Sequence, residues 1–263
     1  MSKEKVTEMI KQELGDVEVK FVSVKKNNVE RDGCIVSREN DTIMPTVYYN
    51  PHWSNDRIAD HIIKAYNSAD GIVVDMEKFF NRDYILENAF PQIVKRDGNG
   101  YIEGKLHKDF LDFAILYRVS IGNDQSYLVT ESIAERFNIS LDEVDQAAMR
   151  NVKENACIIN MCDFLGNNTD DVNMLILTNN KKMFGASAIL SSDILVEAAD
   201  KIGCDYYIIP SSIHECLAVS TEDIDKDSLA NMICTVNATQ VSEVVLFDKP
   251  LIYERETGRL TIA

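Results

Sequence analysis

The chain has 263 residues, 45% of them apolar, enough for one large or two ordinary hydrophobic cores. Its 43 acidic and 27 basic side chains give a formal charge of -16, a field that repels phosphate backbones, so no direct nucleic-acid binding is expected. No window approaches the roughly eighteen apolar residues of a membrane span, the N-terminus is charged from Lys3 onward, and six cysteines sit mostly in apolar runs without a CxxC pair; together these predict a cytoplasmic protein with reduced thiols and no membrane contact.

Ser2 to Leu14 carries Val6, Met9, Ile10 and Leu14 at helical spacing, with Gly15 as the stop. Val17, Val19 and Phe21 then alternate with polar neighbours, as in a half-buried strand. Turns at Asn27-Asn28 and Asp32-Gly33 predict two further strands, about Cys34 to Arg38 and Ile43 to Tyr49. Ser54 caps a second helix with Ile58, Ile62, Ile63 and Tyr66 on one stripe. Residues 1–72 thus read as a small α-β-β-β-α unit, and 73–263 as a larger mixed, mainly antiparallel sheet domain with helices packed on it.

Beyond the boundary, Phe79-Phe80 and Ile85-Leu86 are compatible with helix, and Pro91 and Asp97-Gly98-Asn99-Gly100 interrupt the pattern. Phe110 to Ile121 reads as one long strand, turned by Gly122-Asn123-Asp124 into a partner at Ser126 to Val129. A short helix follows around Glu131 to Phe137. A longer one opens on Ser140-Leu141-Asp142-Glu143, a capping box flanked by Ile139 and Val144 at the staple positions. Ala156 to Met161 is a strand candidate that leads through Gly166-Asn167-Asn168 into Asp171 to Ser220, the most regularly punctuated stretch of the chain.

That stretch opens with an apolar strand, Val172 to Leu177, and a polar corner, Thr178 to Lys182. The small residues of Gly185-Ala186-Ser187-Ala188 predict close backbone packing. A helix follows, capped by Ser191 or Ser192 and stopped by Gly203. Tyr206 to Ile209 and Ile213 to Val219 read as strands on either side of Pro210-Ser211-Ser212. Asp225 or Asp227 then caps a helix with Leu229, Met232, Ile233 and Val236 facing inward, and Leu251 to Glu254 pairs with Arg259 to Ile262 across Thr257-Gly258. Helices and strands mix without βαβ alternation, so the fold class is α+β.

Candidate chemistry is sparse. On a strand, Ser212 and His214 would share one face while Glu215 points to the other, so a hydroxyl and an imidazole could project together with the orienting acid missing. The corner adds Asn179 and Lys182, and Gly185 opens the small-residue run where, with Lys181 nearby, an anion could approach. The candidate binding residues are therefore Asn179, Lys182, Gly185, Ser211, Ser212, His214 and Glu215, with no catalytic residue assigned. Asp97 to Glu103 has the Asp-x-Asn-Gly of a calcium loop but places Lys95 and Leu106 where carboxylates are required. Four scattered histidines and unpaired cysteines predict no metal, and the absence of GxGxxG and GxxxxGK[ST] predicts no cofactor.

Leu177-Thr178-Asn179, Gly185-Ala186, Ile189-Leu190, Ile209-Pro210-Ser211-Ser212-Ile213-His214-Glu215, Val236 to Val241 and the earlier His107 to Ile115 resemble the bacterial domain-of-unknown-function family 5688. The resemblance implies relatives in Gram-positive gut bacteria, on chromosomes and mobile elements, and carries over no catalytic residue. The expected function is a non-enzymatic, acidic protein-interaction module, an inhibitor or adaptor for another protein. The alternatives are a hydrolase using Ser212 and His214, and a nucleic-acid mimic whose carboxylates occupy a basic groove.

Overall fold

A computed structural model of the chain describes residues 1–39, 44, 46–69, 76–122, 125–165 and 174–263. The chain divides into two compact units, Met1–Glu77 and Lys78–Ala263. The expected cut at 72/73 lies outside the described residues. So do Ile43, Asn123-Asp124, Gly166-Asn167-Asn168 and Asp171-Val172, on which other expectations rested.

In the smaller unit, α1 (Lys3–Leu14) starts where the Ser2 hydroxyl accepts the Lys5 N–H and ends at Gly15, whose φ of 80° only glycine adopts readily. Three strands follow, β1 (Glu18–Lys26), β2 (Val29–Ser37) and β3 (Thr46–Tyr48), then α2 (Asn55–Ala69). Ile58, Ile62 and Tyr66 of α2 meet Val6 and Ile10 of α1 over Val17, Cys34, Val36 and Val47 of the sheet, closing the unit's own core. The turn expected at Asp32-Gly33 is instead the middle of β2, in register with Val22 and Ser23. Asn27-Asn28, with φ of 61° at Asn28, already supplies the tight reversal, and Gly33 is needed for room: a Cβ there would lie 2.6 Å from Thr46 Cγ2.

The larger unit begins within α3 (Met76–Phe79), followed by α4 (Arg82–Asn88) and β4 (Ala89–Lys95). β4 contains the Pro91 read above as an interruption. It is an edge strand with β6 on one side only, so the missing N–H costs no ladder bond. A 3-10 turn at Gly100–Ile102 leads to β5 (His107–Phe110), β6 (Phe113–Gly122) and β7 (Gln125–Leu128). The single strand expected from Phe110 to Ile121 is thus split by a hairpin at Leu111-Asp112, where Leu111 takes φ of 51°. β5 pairs the first half of β6 and β7 the second, with β4 along the other edge.

α5 (Glu131–Arg136) and α6 (Leu141–Asn155) follow, and α6 carries the predicted capping box between Ser140 and Glu143. β8 (Ala156–Asn160), α7 (Met161–Leu165) and β9 (Met174–Asn179) lead to a buried 3-10 segment, Gly185–Leu190. α8 (Ser192–Ile202) is capped by Ser191 and stopped by Gly203 in the left-handed region. β10 (Tyr206–Ile209), β11 (Cys216–Ser220), α9 (Lys226–Asn237), β12 (Leu251–Glu254) and β13 (Arg259–Ile262) complete an antiparallel sheet of order β13-β12-β10-β11-β9-β8.

One large core joins the sheets. Ile93, Phe113, Ile115, Tyr117 and Val119 of the first, and Leu175, Leu177, Tyr206, Ile208 and Ala218 of the second, pack with Val144, Ala147 and Ala148 of α6, Ala186 to Ile189, and Ala198 and Ala199 of α8. α9 covers the far face of the second sheet with Leu229 and Ile233. The inward positions expected for Met232 and Val236 are instead 49% and 43% exposed. The sheet needs only a narrow apolar stripe from α9, and the i, i+4 pair Leu229 and Ile233 supplies it. None of the described helices is long and apolar enough to cross a membrane.

Candidate functional site

The predicted candidate residues converge where the end of β9 and the 3-10 segment meet the connection from β10 to β11. Asn179 closes the corner on itself: its Oδ1 accepts the Lys181 and Met183 N–H groups, and its Nδ2 donates to Met183 O at 2.9 Å. Lys182 has φ of 52° and donates its backbone N–H to Asn179 O. Gly185 is where three strands of backbone crowd together, since a Cβ there would lie 2.3 Å from Thr178 Oγ1, 2.6 Å from His214 O and 2.8 Å from Asn179 N. The small-residue run therefore packs backbone against backbone.

The strand expected from Ile213 starts only at Cys216, so Ser212 and His214 do not share a strand face. The reason is local. Ser211 N–H turns back to Ile209 O, Ile213 N–H donates to Val244 O, and the Ser212 hydroxyl accepts the His214 backbone N–H at 2.9 Å. The imidazole is occupied elsewhere: its Nδ1 accepts the Phe184 N–H at 3.2 Å, which leaves the neutral ring protonated on Nε2. The ring rests against Phe184, centroids 5.6 Å apart. Glu215 is half-buried and makes no hydrogen bond or ion pair among the described residues. Ser212 and His214 are thus joined through a backbone amide, in a geometry that does not activate the hydroxyl.

The other side of Phe184 carries a charged residue outside the predicted candidates. Arg118, in the middle of β6, lays its guanidinium over the Phe184 ring, 4.5 Å from the centroid. It donates to Ser126 Oγ (2.9 Å), Gln92 Oε1 (2.9 Å), Tyr101 OH (3.3 Å) and Ser126 O (3.2 Å). Every one of these acceptors is neutral. Burial pulls the Arg118 pKa down, opposed only by the Tyr101 hydroxyl, with no carboxylate contributing. The detectable signal was a lone arginine in a strand whose first half, Phe113 to Tyr117, is buried.

Beside this group lies a cleft of about 200 Å³. Phe90, Pro91, Val152, Met183 and Ala188 supply apolar lining, and Asn88, Asn151, Asn155, Ser120, Ser126, Lys181 and Asn179 supply polar groups. The asparagine orientations are fixed by acceptors: Nδ2 of Asn151 donates to Glu87 O and Ala89 O, that of Asn155 to Asn151 O, and that of Asn88 to Tyr84 O. Their Oδ1 atoms meet no donor among the described residues. Of the predicted candidates, only Asn179 lines the cleft.

Asp97 to Gly100 forms a turn in which Asn99 donates to Lys95 O and accepts the Tyr101 N–H, a backbone role. No cluster of three or more metal-ligating side chains occurs among the described residues.

No curated protein matches the chain, and no solved structure does. The model of a family described as being of unknown function matches residues 2–255. Matched over nearly its full length, the chain belongs to the family of unknown function DUF5688.

Proposed function

We propose that the chain is a non-enzymatic binding module whose larger unit takes a short polar segment of a partner protein into the cleft lined by β4, α6 and the Asn179 to Met183 corner. The observation that carries this reading is the composition of the lining. Asparagine oxygens from α4 and α6 await donors, while hydroxyl and ammonium groups of Ser120, Ser126 and Lys181 can donate. A peptide segment offers both N–H and C=O groups and so satisfies both sets. A volume of about 200 Å³ is small beside the roughly 300 to 1,000 Å³ of sites for whole small molecules and suits a chain terminus or one or two side chains.

Binding is preferred to hydrolysis because the Ser212 hydroxyl and the His214 ring are each held by backbone N–H groups. Such a module acts as an inhibitor or as an adaptor according to what its partner does.

The test is an affinity capture comparing wild type with Asn155→Trp. Asn155 is exposed, lines the cleft, and makes one side-chain hydrogen bond, so the indole fills the cleft without entering the core. The expected result is a stoichiometric partner captured by wild type and lost by the variant at equal Tm. A partner retained equally by Asn155→Trp overturns the assignment of the cleft. Turnover of an ester or amide substrate abolished by Ser212→Ala overturns the non-enzymatic reading.

A further inference from the structure

We infer that Ser120 and Ser126 form an oxyanion receptor, polarised by Lys181 and Arg118, that takes a carboxylate or phosphoryl oxygen of the ligand entering the cleft. The inference rests on the binding role proposed for that cleft and specifies the group it recognises.

A serine hydroxyl has one proton to donate and lone pairs to accept with. Ser126 Oγ accepts the Nε–H of Arg118 at 2.9 Å, and Ser120 Oγ accepts from Lys181 Nζ at 3.4 Å. With a cation on each oxygen, each O–H is more acidic and is left to donate. No acceptor for either proton occurs among the described residues. The two serines are cross-strand partners on β6 and β7, and both line the cleft. Side chains so paired stand roughly 4.5 to 5.5 Å apart at Cβ, close enough to straddle one oxyanion.

In a chain with 43 acids against 27 bases, a largely enclosed arginine would ordinarily meet a carboxylate. Arg118 meets an amide oxygen, two hydroxyls, a backbone carbonyl and a ring face. Lys181 likewise has no carboxylate partner among the described residues. Glu87 is the acid lining the cleft; it is exposed on α4 and pairs with neither cation. The charge missing from the protein is the charge the ligand brings, and charge-assisted bonds of this kind are the strong ones.

The experiment titrates the intact chain by NMR with N-acetylglycinate, N-acetylglycinamide and inorganic phosphate at constant ionic strength. It follows the Arg118 Nε–H and the backbone amides of Gln125, Ser126, Tyr127 and Lys181. Saturable shifts with N-acetylglycinate or phosphate, absent with the amide and weakened about tenfold or more in Ser120→Ala/Ser126→Ala, are expected. A response to N-acetylglycinate alone identifies a carboxylate as the source, and one to phosphate alone a phosphoryl group. The single variants are read instead if the double variant loses Tm. Anion binding unchanged by the serine substitutions, or no saturable shift with either anion, overturns the inference. Equal binding of acid and amide also overturns it, yet leaves the cleft reading intact, which the Asn155→Trp capture decides separately.

Discussion

Replacing Gly185 by alanine adds a single carbon at the junction of β9, the 3-10 segment and the Ser211 to Glu215 connection. That carbon would sit 2.3 Å from Thr178 Oγ1, 2.6 Å from His214 O and 2.8 Å from Asn179 N, all inside the distance real Cβ atoms keep. Two of the three are backbone atoms, so a rotamer change cannot relieve them; β9 and the connection must separate. Separation strains the Thr178 Oγ1 to His214 O bond (2.9 Å), the Phe184 N–H to His214 Nδ1 bond (3.2 Å) and the Ala186 N–H to Ile213 O bond (3.4 Å). Overpacking costs about 1 to 3 kcal/mol and each bond lost about 1 kcal/mol, so Gly185→Ala should lose about 3 kcal/mol. For a unit of this size that lowers Tm by about 6 to 12 °C. Gly203→Ala is the control, with φ of 94° and no atom within 4 Å of the added carbon, and should cost about 1 kcal/mol through backbone strain alone. Urea unfolding followed by far-UV circular dichroism and by hydrogen exchange of β9 amides measures both; Trp53 fluorescence reports the other unit. A Gly185→Ala protein within about 0.5 kcal/mol of wild type, or no weaker than Gly203→Ala, would refute the close-packing argument.

The Ser140 backbone N–H, then the Ser140 hydroxyl, then Arg82 hold the Glu143 carboxyl down to about 2. A folded pKa below the ordinary carboxylate value means that the capping box stabilises fully above about pH 5 and loses that contribution as pH falls through about 2. Carbon-detected NMR titration should show the Glu143 pKa rising in Ser140→Ala, and an unchanged value would reject the capping-box account. Long-range nitrogen-15 correlation should find His214 protonated on Nε2 with Nδ1 bare; the opposite tautomer would reopen Ser212 and His214 as a reactive pair.

Where a structural feature is encoded within a few residues, the sequence read correctly. The Ser140 and Glu143 box, the Ser191 cap and Gly203 stop of α8, and the Thr257-Gly258 hairpin all depend on neighbours three or four positions apart. Leu111 was missed because a leucine in the left-handed region has no local signature; pairing of His107 to Phe110 with Phe113 to Leu116 holds it there. Pro91 misled because proline forbids a central strand and not an edge, and edge position is a property of the assembled sheet. Ile213 to Glu215 misled because it reads as the start of a strand, whereas the bonds from Ser211 N–H to Ile209 O and from Ile213 N–H to Val244 O carry this stretch away from one.

By itself the sequence determined the α+β class, the two caps that frame α6 and α8, the tight packing at Gly185 and the family, since each follows from local backbone preference or from residue order. Only the tertiary structure decided that Arg118 of β6 lies against Phe184 and Ser126, and that α4, α6, β6, β7 and the Asn179 corner enclose one cleft. Those groups lie far apart along the chain, and no local rule joins them. Burial of a shared apolar core between the two sheets sets their distances, and the polar side chains left at its margin become neighbours as a result.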